Sequence, residues 1–188
     1  ETDPETRTPR TDEYSIGVDR ELGARVSAAI AYIHKRGSNF IAWTDVGGQY
    51  REETRALANG ATLPVFVLTN STASRRFLLT NPDDYSLTYN GLVTVVEKRR
   101  SNGWQALASY TYSKTEGLLA SSGAAAGDPQ VTTVAPAFPS TTFGRDPNSL
   151  TNAYGRLPND RPHMFRMMGA IDVPRTGVVV AANLQYFS

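Results

Sequence analysis

The clearest pattern in the chain is a pair of strict alternations between residues 85 and 116. Successive side chains of a β-strand point to opposite faces, so an apolar residue at every second position predicts a strand with one apolar face. Asn102-Gly103 joins the two runs and suits the positive φ angles of a two-residue turn. The pattern therefore predicts a β-hairpin. Its predicted apolar face consists of Tyr85, Leu87, Tyr89, Gly91, Val93, Val95, Trp104, Ala106, Ala108, Tyr110 and Tyr112.

Two further hairpins are predicted at about 13–36 and about 161–188. Their short turns are centred on Gly23 and on residues 174–177. Alanine blurs the alternation in the second strand of the first hairpin, and a helix over 24–34 is the alternative there. The apolar faces of the two hairpins include Tyr14, Ile16, Val18, Phe165, Ile171, Val173, Val180, Leu184 and Tyr186.

Long connections, at about 37–84 and about 118–160, separate the three hairpins. The first is of mixed character, with a short helical turn predicted in "EETRALANG" and a strand-like piece in "LPVFVLTNS". The second is rich in Ala, Gly, Ser, Thr and Pro, which predicts little regular structure. Connections this long are unusual in a compact soluble domain, whereas short turns at one end and long loops at the other are typical of outer-membrane barrels.

These patterns predict an all-β fold, an antiparallel up-and-down meander that forms part of a transmembrane β-barrel. We expect about six strands, with long extracellular loops. The apolar faces would contact lipid, and aromatic residues toward both ends of these faces resemble the girdles that flank the apolar band of a barrel. A soluble β-sandwich with aromatic residues in its core is the alternative. No apolar run approaches the roughly 20 residues that a transmembrane helix needs.

Composition narrows the function classes only slightly. The 188 residues carry a formal net charge of +1, which gives no electrostatic reason to expect nucleic acid as a partner. The chain contains no cysteine, so a disulfide scaffold and a thiolate metal site are excluded. Because it starts at Glu1 and stops at Ser188 directly after a strand-like run, we expect it to be a segment of a longer protein.

Candidate catalytic and metal-binding constellations are weak. His34 and His163 fall on strand positions without metal-ligand spacing, which indicates interfacial or surface residues. The carboxylate pairs at 52–53 and 83–84 are interpreted as solvated loop charge. We therefore expect no enzyme activity, no cofactor and no metal. The basic run at 98–100 has two interpretations, a contact with lipid headgroups or a charged turn that keeps the chain soluble.

The segment "NDRPHMFRMMGAIDVPRTGVVVAANLQYFS" resembles the late strands of TonB-dependent outer-membrane transporters, most closely the Oar-like type with a carboxypeptidase-regulatory-like domain. Two other segments are similar to strands of this family, "DEYSIGVDRELG" and "WQALASYTYSKTEG". The residues that match the family's order in the first segment are Asp160, Arg161, Pro162, His163, Pro174, Gly177, Tyr186 and Phe187, and those in the last are Tyr110, Tyr112 and Ser113.

The resemblance implies a wall segment of a transporter in the bacterial cell outer membrane. Such transporters import large or scarce substrates with energy from the inner membrane. The implied partners are outer-membrane lipid, the rest of the barrel with its plug domain, a TonB-type energy-coupling protein, and an imported substrate of unknown identity. No ligand-binding residue can be carried over, and ligand contact is expected in the two long loops. The alternatives are a passive porin or adhesin, and a soluble carbohydrate- or protein-binding module.

Overall fold

The computed structural model describes residues 1–118, 147–157 and 160–188. These residues form β-strands together with two short 3-10 helices, Thr72–Ser74 and Pro147–Leu150. Among them, no helix is long and apolar enough to cross a membrane. The strands are β1 (Arg10–Gly23), β2 (Val26–Ser38), β3 (Ala42–Asp45), β4 (Tyr50–Ala56), β5 (Thr62–Leu68), β6 (Phe77–Thr80), β7 (Ser86–Ser101), β8 (Trp104–Leu118), β9 (Gly155–Arg156), β10 (His163–Val173) and β11 (Val178–Phe187).

One sheet contains the six long strands in the order β1-β2-β7-β8-β10-β11, and the short β9 pairs with β8. The three predicted hairpins are therefore neighbours in a meander, which confirms the predicted all-β antiparallel fold. The sheet is not closed into a barrel within the described residues, because β1 and β11 are its end strands. The alternative of a helix over 24–34 is wrong, since these residues lie in the first turn and in β2.

Tight turns join the strands of each long hairpin, and all three use left-handed backbone conformations. Asn102 (φ 52°) and Gly103 (φ 77°) form the turn between β7 and β8, as their sequence predicts. The turn between β1 and β2 places Ala24 (φ 51°) and Arg25 (φ 62°) in the same region. Side chains larger than glycine rarely adopt this conformation, so these turns are held by the strand pairing on either side.

The chain divides into two compact units, each of which is described separately. The sheet unit comprises residues 12–36, 88–116 and 156–188, and the loop unit comprises the described parts of 1–11, 37–87 and 117–155. In the loop unit, β3 pairs with β6 and β4 pairs with β5, both antiparallel. Most of the first long connection is therefore structured by short strand pairs.

The short helical turn predicted in "EETRALANG" is wrong. Glu52 to Ala56 belong to β4, and a tight turn follows in which the Leu57 N–H donates to the Ala61 carbonyl at 2.7 Å. The local residues are good helix formers, but this preference is weak. Pairing with β5, which is rich in the β-branched residues that favour strands, outweighs it. Tertiary pairing, rather than local propensity, determines the conformation of this segment.

A small apolar cluster lies in the loop unit. Ala42, Tyr85 and Leu118 are buried, and Phe40 is among the partly buried residues that pack against them. Tyr85 was predicted to face lipid, and this prediction is wrong because the residue is only 4% exposed. The strand begins one residue later, at Ser86, so the alternation of β7 does not extend to Tyr85.

Candidate functional site

The face of the sheet that carries Trp104 is the candidate functional surface, and we call it the aromatic face. The registers of β8, β10 and β11 align its residues in rows across the strands, because directly paired residues share a face. One row consists of Tyr110, Phe165 and Tyr186, and another of Trp104, Ile171 and Val180. The two rows are six positions apart along each strand, or about 20 Å, a spacing compatible with the apolar band of a barrel.

Small and flexible side chains fill the space between these two rows. Gly169 pairs with Ala106 on one side and with Ala182 on the other, and Met167 lies between Ala108 and Leu184. The row of small residues Ala106, Gly169 and Ala182 forms the floor of a shallow apolar groove of about 360 Å³. Trp104 and Leu184 are among its other lining residues. The predicted apolar residues of these three strands are thus brought together on one continuous surface.

Strands β1 and β2 extend the aromatic face through their even-numbered residues. The ring of Tyr14 stacks on His34 with their centroids 6.5 Å apart, so these two residues share a face. On the opposite face, Lys35 forms a 2.7 Å ion pair with Glu13. Tyr14, Ile16 and Val18 therefore lie on one side of β1, as their alternation predicts.

The contacts of strand β7 show that its residues face the opposite way from the prediction. The Tyr32 hydroxyl donates to Asn90 Oδ1 at 2.7 Å, and Nδ1 of His34 lies 2.9 Å from the same oxygen. Farther along the strand, Lys98 Nζ lies 4.9 Å from the ring centroid of Trp104. The even-numbered residues of β7 consequently belong to the aromatic face at both ends of this stretch.

The odd-numbered residues of β7 lie on the opposite face. Leu87 approaches the position that a side chain on Gly37 would take, and Gly37 lies two residues from Lys35 on the same face of β2. The Tyr89 ring covers the position that a side chain on Gly91 would take, so Tyr89 shares the face of the odd-numbered residues. Val93 and Val95 lie between Asn90 and Lys98, which are both on the aromatic face. Alternation therefore places the two valines on the opposite face, and both are partly buried. The prediction that Leu87, Tyr89, Val93 and Val95 share a face with Trp104 is therefore wrong. Leu92 and Val96, 40% and 47% exposed, occupy that face.

An offset near the turn explains this reversal. Ser101 and Trp104 flank the turn, and strict alternation from Ser101 would place Lys98 on the face opposite Trp104. Instead, the Lys98 ammonium lies over Trp104 and also contacts the Ser101 hydroxyl. One additional residue is accommodated between Lys98 and Ser101, as in a β-bulge, and a one-residue slip moves every following side chain to the other face.

Both histidines lie on the aromatic face, beside tyrosines. Nδ1 of His163 is 2.7 Å from the Tyr110 hydroxyl oxygen, and the Tyr112 ring centroid is 5.2 Å from that of His163. His34 takes the equivalent position beside Tyr14. In the described part of the chain, no group of three or more His, Cys, Asp or Glu residues is arranged to hold a metal ion.

The face opposite Trp104, which we call the polar face, carries hydroxyl, amide and charged side chains. Arg100 forms an ion pair with Asp172, while Lys98 of the same basic run lies on the aromatic face. The run at 98–100 is thus divided between the two faces. Across β8, β10 and β11 the polar face also includes Gln105, Ser109, Thr111, Arg166, Asn183 and Gln185.

Large apolar side chains are strongly segregated between the two faces. Within the described strands of the sheet, those that are exposed lie on the aromatic face, except for Met168, Val179 and Phe187. A soluble monomer rarely exposes a continuous apolar patch of this extent. The face therefore requires an apolar surrounding.

A buried carboxylate organises the loop unit. The Asp45 side chain is 0% exposed and accepts hydrogen bonds from Arg75 Nε at 2.6 Å and from the Tyr50 hydroxyl at 2.7 Å. The N–H groups of Gly47 and Gly48 donate to its other oxygen at 3.1 and 3.0 Å. Burial alone would raise the pKa of Asp45, but these four donors outweigh it and lower the pKa to about 2.

Sequence patterns missed this carboxylate. An Asp followed by two glycines two and three positions later is a signal for an Asp side chain that accepts backbone hydrogen bonds. The partner Arg75, 30 residues away, carries no such signal. The second long loop, where ligand contact was also predicted, lies largely outside the described residues. Within its described part, the Asn148 side chain exchanges two 2.7 Å hydrogen bonds with the Phe66 backbone.

A family model described as an outer membrane beta barrel domain matches residues 1–182. The chain belongs to this family. It is therefore an outer-membrane β-barrel protein of bacteria. No curated protein matches the chain, and no solved structure matches it.

For this outer-membrane barrel protein, the predicted fold class and cellular location are confirmed, and lipid is its environment. The choice of the aromatic face as the lipid-facing one stays a prediction. The structure brings together Trp104, Tyr110, Tyr112, Phe165, Ile171 and Tyr186 of the predicted set on that face. It separates from them Tyr85, Leu87, Tyr89, Val93 and Val95.

Proposed function

We propose that the chain is a wall segment of an outer-membrane transporter of the TonB-dependent, Oar-like type. In this proposal the aromatic face contacts lipid and the polar face lines the path of an imported substrate. The observation that carries it is the segregation of apolar and polar side chains between the two faces of one meander sheet. Tight turns alternating with long connections support the same arrangement, with the long loops on the extracellular side.

The transporter type rests on the resemblance of the segment from Asn159 to Ser188 and of the segments around Tyr14 and Trp104. Import of large or scarce substrates would draw energy from a TonB-type partner in the inner membrane. The plug domain that couples this energy is proposed to belong to the same protein. A wall segment in this role performs no covalent chemistry, so we expect no enzyme activity and no cofactor.

Uptake measurements test the proposal. Cells that contain the intact protein should accumulate its substrate only while the inner membrane is energised, and an uncoupler should abolish accumulation above the external concentration. Uptake that follows the concentration gradient and is unchanged by an uncoupler would indicate a passive porin. Specific surface binding without any uptake would indicate an adhesin, and either result contradicts the proposal.

Folding measurements test the architecture separately. The purified protein should show heat-modifiable electrophoretic migration only when folded in detergent micelles or lipid. A monomeric, folded product in plain buffer would favour the soluble β-sandwich and contradict the assignment of the aromatic face to lipid.

A further inference from the structure

Two arginines share one aromatic ring on the polar face. The guanidinium carbons of Arg161 and Arg166 each lie 5.5 Å from the ring centroid of Phe187. Phe187 pairs with Met164 across β10 and β11, so the Phe187 ring lies on the face opposite Trp104. The two guanidinium groups lie near this ring and therefore on the same face. Both arginines are exposed, and Phe187 is 37% exposed.

Two other cations of this face are paired with carboxylates, whereas these two arginines are not. Lys35 pairs with Glu13, and Arg100 pairs with Asp172. Within the described residues, no carboxylate forms an ion pair with Arg161 or Arg166. Two positive charges around one ring therefore remain without a counter-ion from the described chain.

The nearest acidic group in sequence is already engaged. Asp160 accepts a hydrogen bond from the Thr115 N–H at 2.9 Å and forms an ion pair with Arg156 at 3.2 Å. Arg166 is flanked across the strands by the neutral side chains of Ser109 and Gln185. Its surroundings thus offer hydrogen-bonding groups without a competing negative charge.

Stacking on Phe187 prepares both guanidinium groups to bind an anion. A guanidinium group near an aromatic ring is held by the cation–π interaction and loses less conformational entropy when it binds a ligand. Its planar fork of N–H donors matches carboxylate and phosphate groups. Since each carbon is 5.5 Å from the same centroid, the two guanidinium groups are no more than twice that distance apart. One solute with several anionic groups can reach both.

We propose that Arg161, Phe187 and Arg166 form a binding site for a solute that bears carboxylate or phosphate groups. The inference deepens the proposed function, on which its location in the substrate path rests. A lipid headgroup offers the same phosphate chemistry as a dissolved anion. Because the site lies on the polar face, opposite the face proposed to contact lipid, we commit to a dissolved anion.

Calorimetric titration of the intact protein in neutral detergent micelles tests the site, with citrate and inorganic phosphate as probes. Saturable binding is expected, and Arg161→Gln or Arg166→Gln should each weaken it by about tenfold or more, because each removes charge-assisted hydrogen bonds. Arg166→Lys keeps the charge but loses the planar fork, so it should only partly restore affinity. Heat-modifiable migration of each variant shows that it has folded.

Arg100→Gln is the matched control, since Arg100 lies on the same face but is paired with Asp172. It should change affinity by less than about twofold. Equal losses in Arg100→Gln and Arg166→Gln would indicate general attraction of anions and overturn the site. Wild-type affinity in the double variant Arg161→Gln/Arg166→Gln would also overturn it.

Two further arms identify the source of the anion and separate this site from the proposed function. Vesicles of anionic phospholipid should not compete with citrate any better than phosphatidylcholine vesicles, and selective competition would overturn the assignment to a dissolved anion. Energy-dependent uptake that is unchanged in the double variant would contradict the site alone. Citrate binding that requires both arginines, without energy-dependent uptake of any substrate, would support the site and contradict the proposed transporter.

Discussion

The sheet unit and the loop unit use their apolar residues in opposite ways. In the described sheet unit no large apolar side chain is buried, and Ile16 and Leu184 are 74% and 60% exposed. In the loop unit Tyr85 is buried, and the Asp45 carboxylate is enclosed by hydrogen-bond donors. One unit turns apolar side chains outward, while the other covers them and hydrogen-bonds its buried charge.

The difference reflects the surroundings that each unit needs. Exposing an apolar side chain to water costs about 25 cal/mol per Å², a cost that hydrocarbon surroundings remove. The sheet unit therefore fits a membrane, to which its family assigns it. The loop unit has few buried apolar residues, so its conformation depends more on hydrogen bonds such as those of Asp45. Variants in the two units should consequently fail in different ways.

The largest effect is expected from an arginine on the aromatic face of β7. Val96→Arg should lower the free energy of unfolding in lipid vesicles by about 2–4 kcal/mol, because it places a charge near the centre of the apolar band. Val95→Arg, one residue away on the polar face, should cost less than about 1 kcal/mol. Denaturant titration of both variants in vesicles, with heat-modifiable migration as the assay for folding, measures the difference.

Strand β10 supplies the matched control, since its pairing with both β8 and β11 determines its two faces. Met167→Arg should behave like Val96→Arg, and Met168→Arg like Val95→Arg. Equal losses within either pair would mean that the two faces are not in different surroundings. A larger loss for Val95→Arg than for Val96→Arg would restore the face first predicted for β7.

Alternation predicted the hairpins and the faces of β10 and β11, because a period of two residues is a property of any regular strand. It could not predict the relation between β7 and β8. The contacts of Lys98 with Trp104 and Ser101 show an offset between the turn and the strand. Such an offset is a backbone feature of a few residues, and it reversed the faces of Leu87, Tyr89, Val93 and Val95 together.

In the loop unit, local patterns predicted less because distant contacts decide the structure. "LPVFVLTNS" includes most of β5 as expected, but "EETRALANG" forms the end of β4 and a turn because β5 pairs with it. The Asp45 turn has a local signal in Gly47 and Gly48, whereas its partner Arg75 comes from a different segment. Likewise, Arg161 and Phe187 meet only because β10 and β11 are paired.

Asp45→Asn should affect the loop unit and leave the sheet unchanged. The substitution keeps the shape of the side chain but removes the charge that Arg75 and Tyr50 bind, at an expected cost of about 2–3 kcal/mol in local stability. Hydrogen exchange of the Gly47 and Gly48 amides measures this loss. Heat-modifiable migration and insertion into vesicles should stay at the wild-type level.

Glu53→Gln is the control for Asp45→Asn. The Glu53 carboxylate is held by Arg51 and Arg55, both of which are largely exposed, so its loss should cost less than about 1 kcal/mol. A loss for Glu53→Gln as large as that for Asp45→Asn would show that enclosure of the Asp45 carboxylate is not what stabilises the loop unit.

Acid should weaken the loop unit through the same carboxylate. The pKa of Asp45 falls from an ordinary value of 3.8 to about 2 in the folded chain. A lowered folded pKa gives stability that is fully present above pH 3.8 and is lost as the pH falls through about 2. The loss amounts to about 2 kcal/mol. Hydrogen exchange of Gly47 and Gly48, corrected for its intrinsic pH dependence, should show this loss in the wild type and not in Asp45→Asn.

The smallest effect is expected where a charge lies on the aromatic face itself. Lys98→Ala removes the ammonium 4.9 Å from the Trp104 ring and should cost about 0.5–1 kcal/mol, while Lys98→Met keeps an apolar stem and should recover part of this. Trp104 fluorescence reports the change in a Trp43→Phe background, since the chain has two tryptophans.

Should Lys98 also contact lipid headgroups, the loss of stability in Lys98→Ala would be larger in anionic vesicles than in phosphatidylcholine vesicles. Equal losses in the two types of vesicle would show that Lys98 stabilises the fold through Trp104 and not through lipid headgroups. They would favour the interpretation of the basic run as a charged turn that keeps the chain soluble.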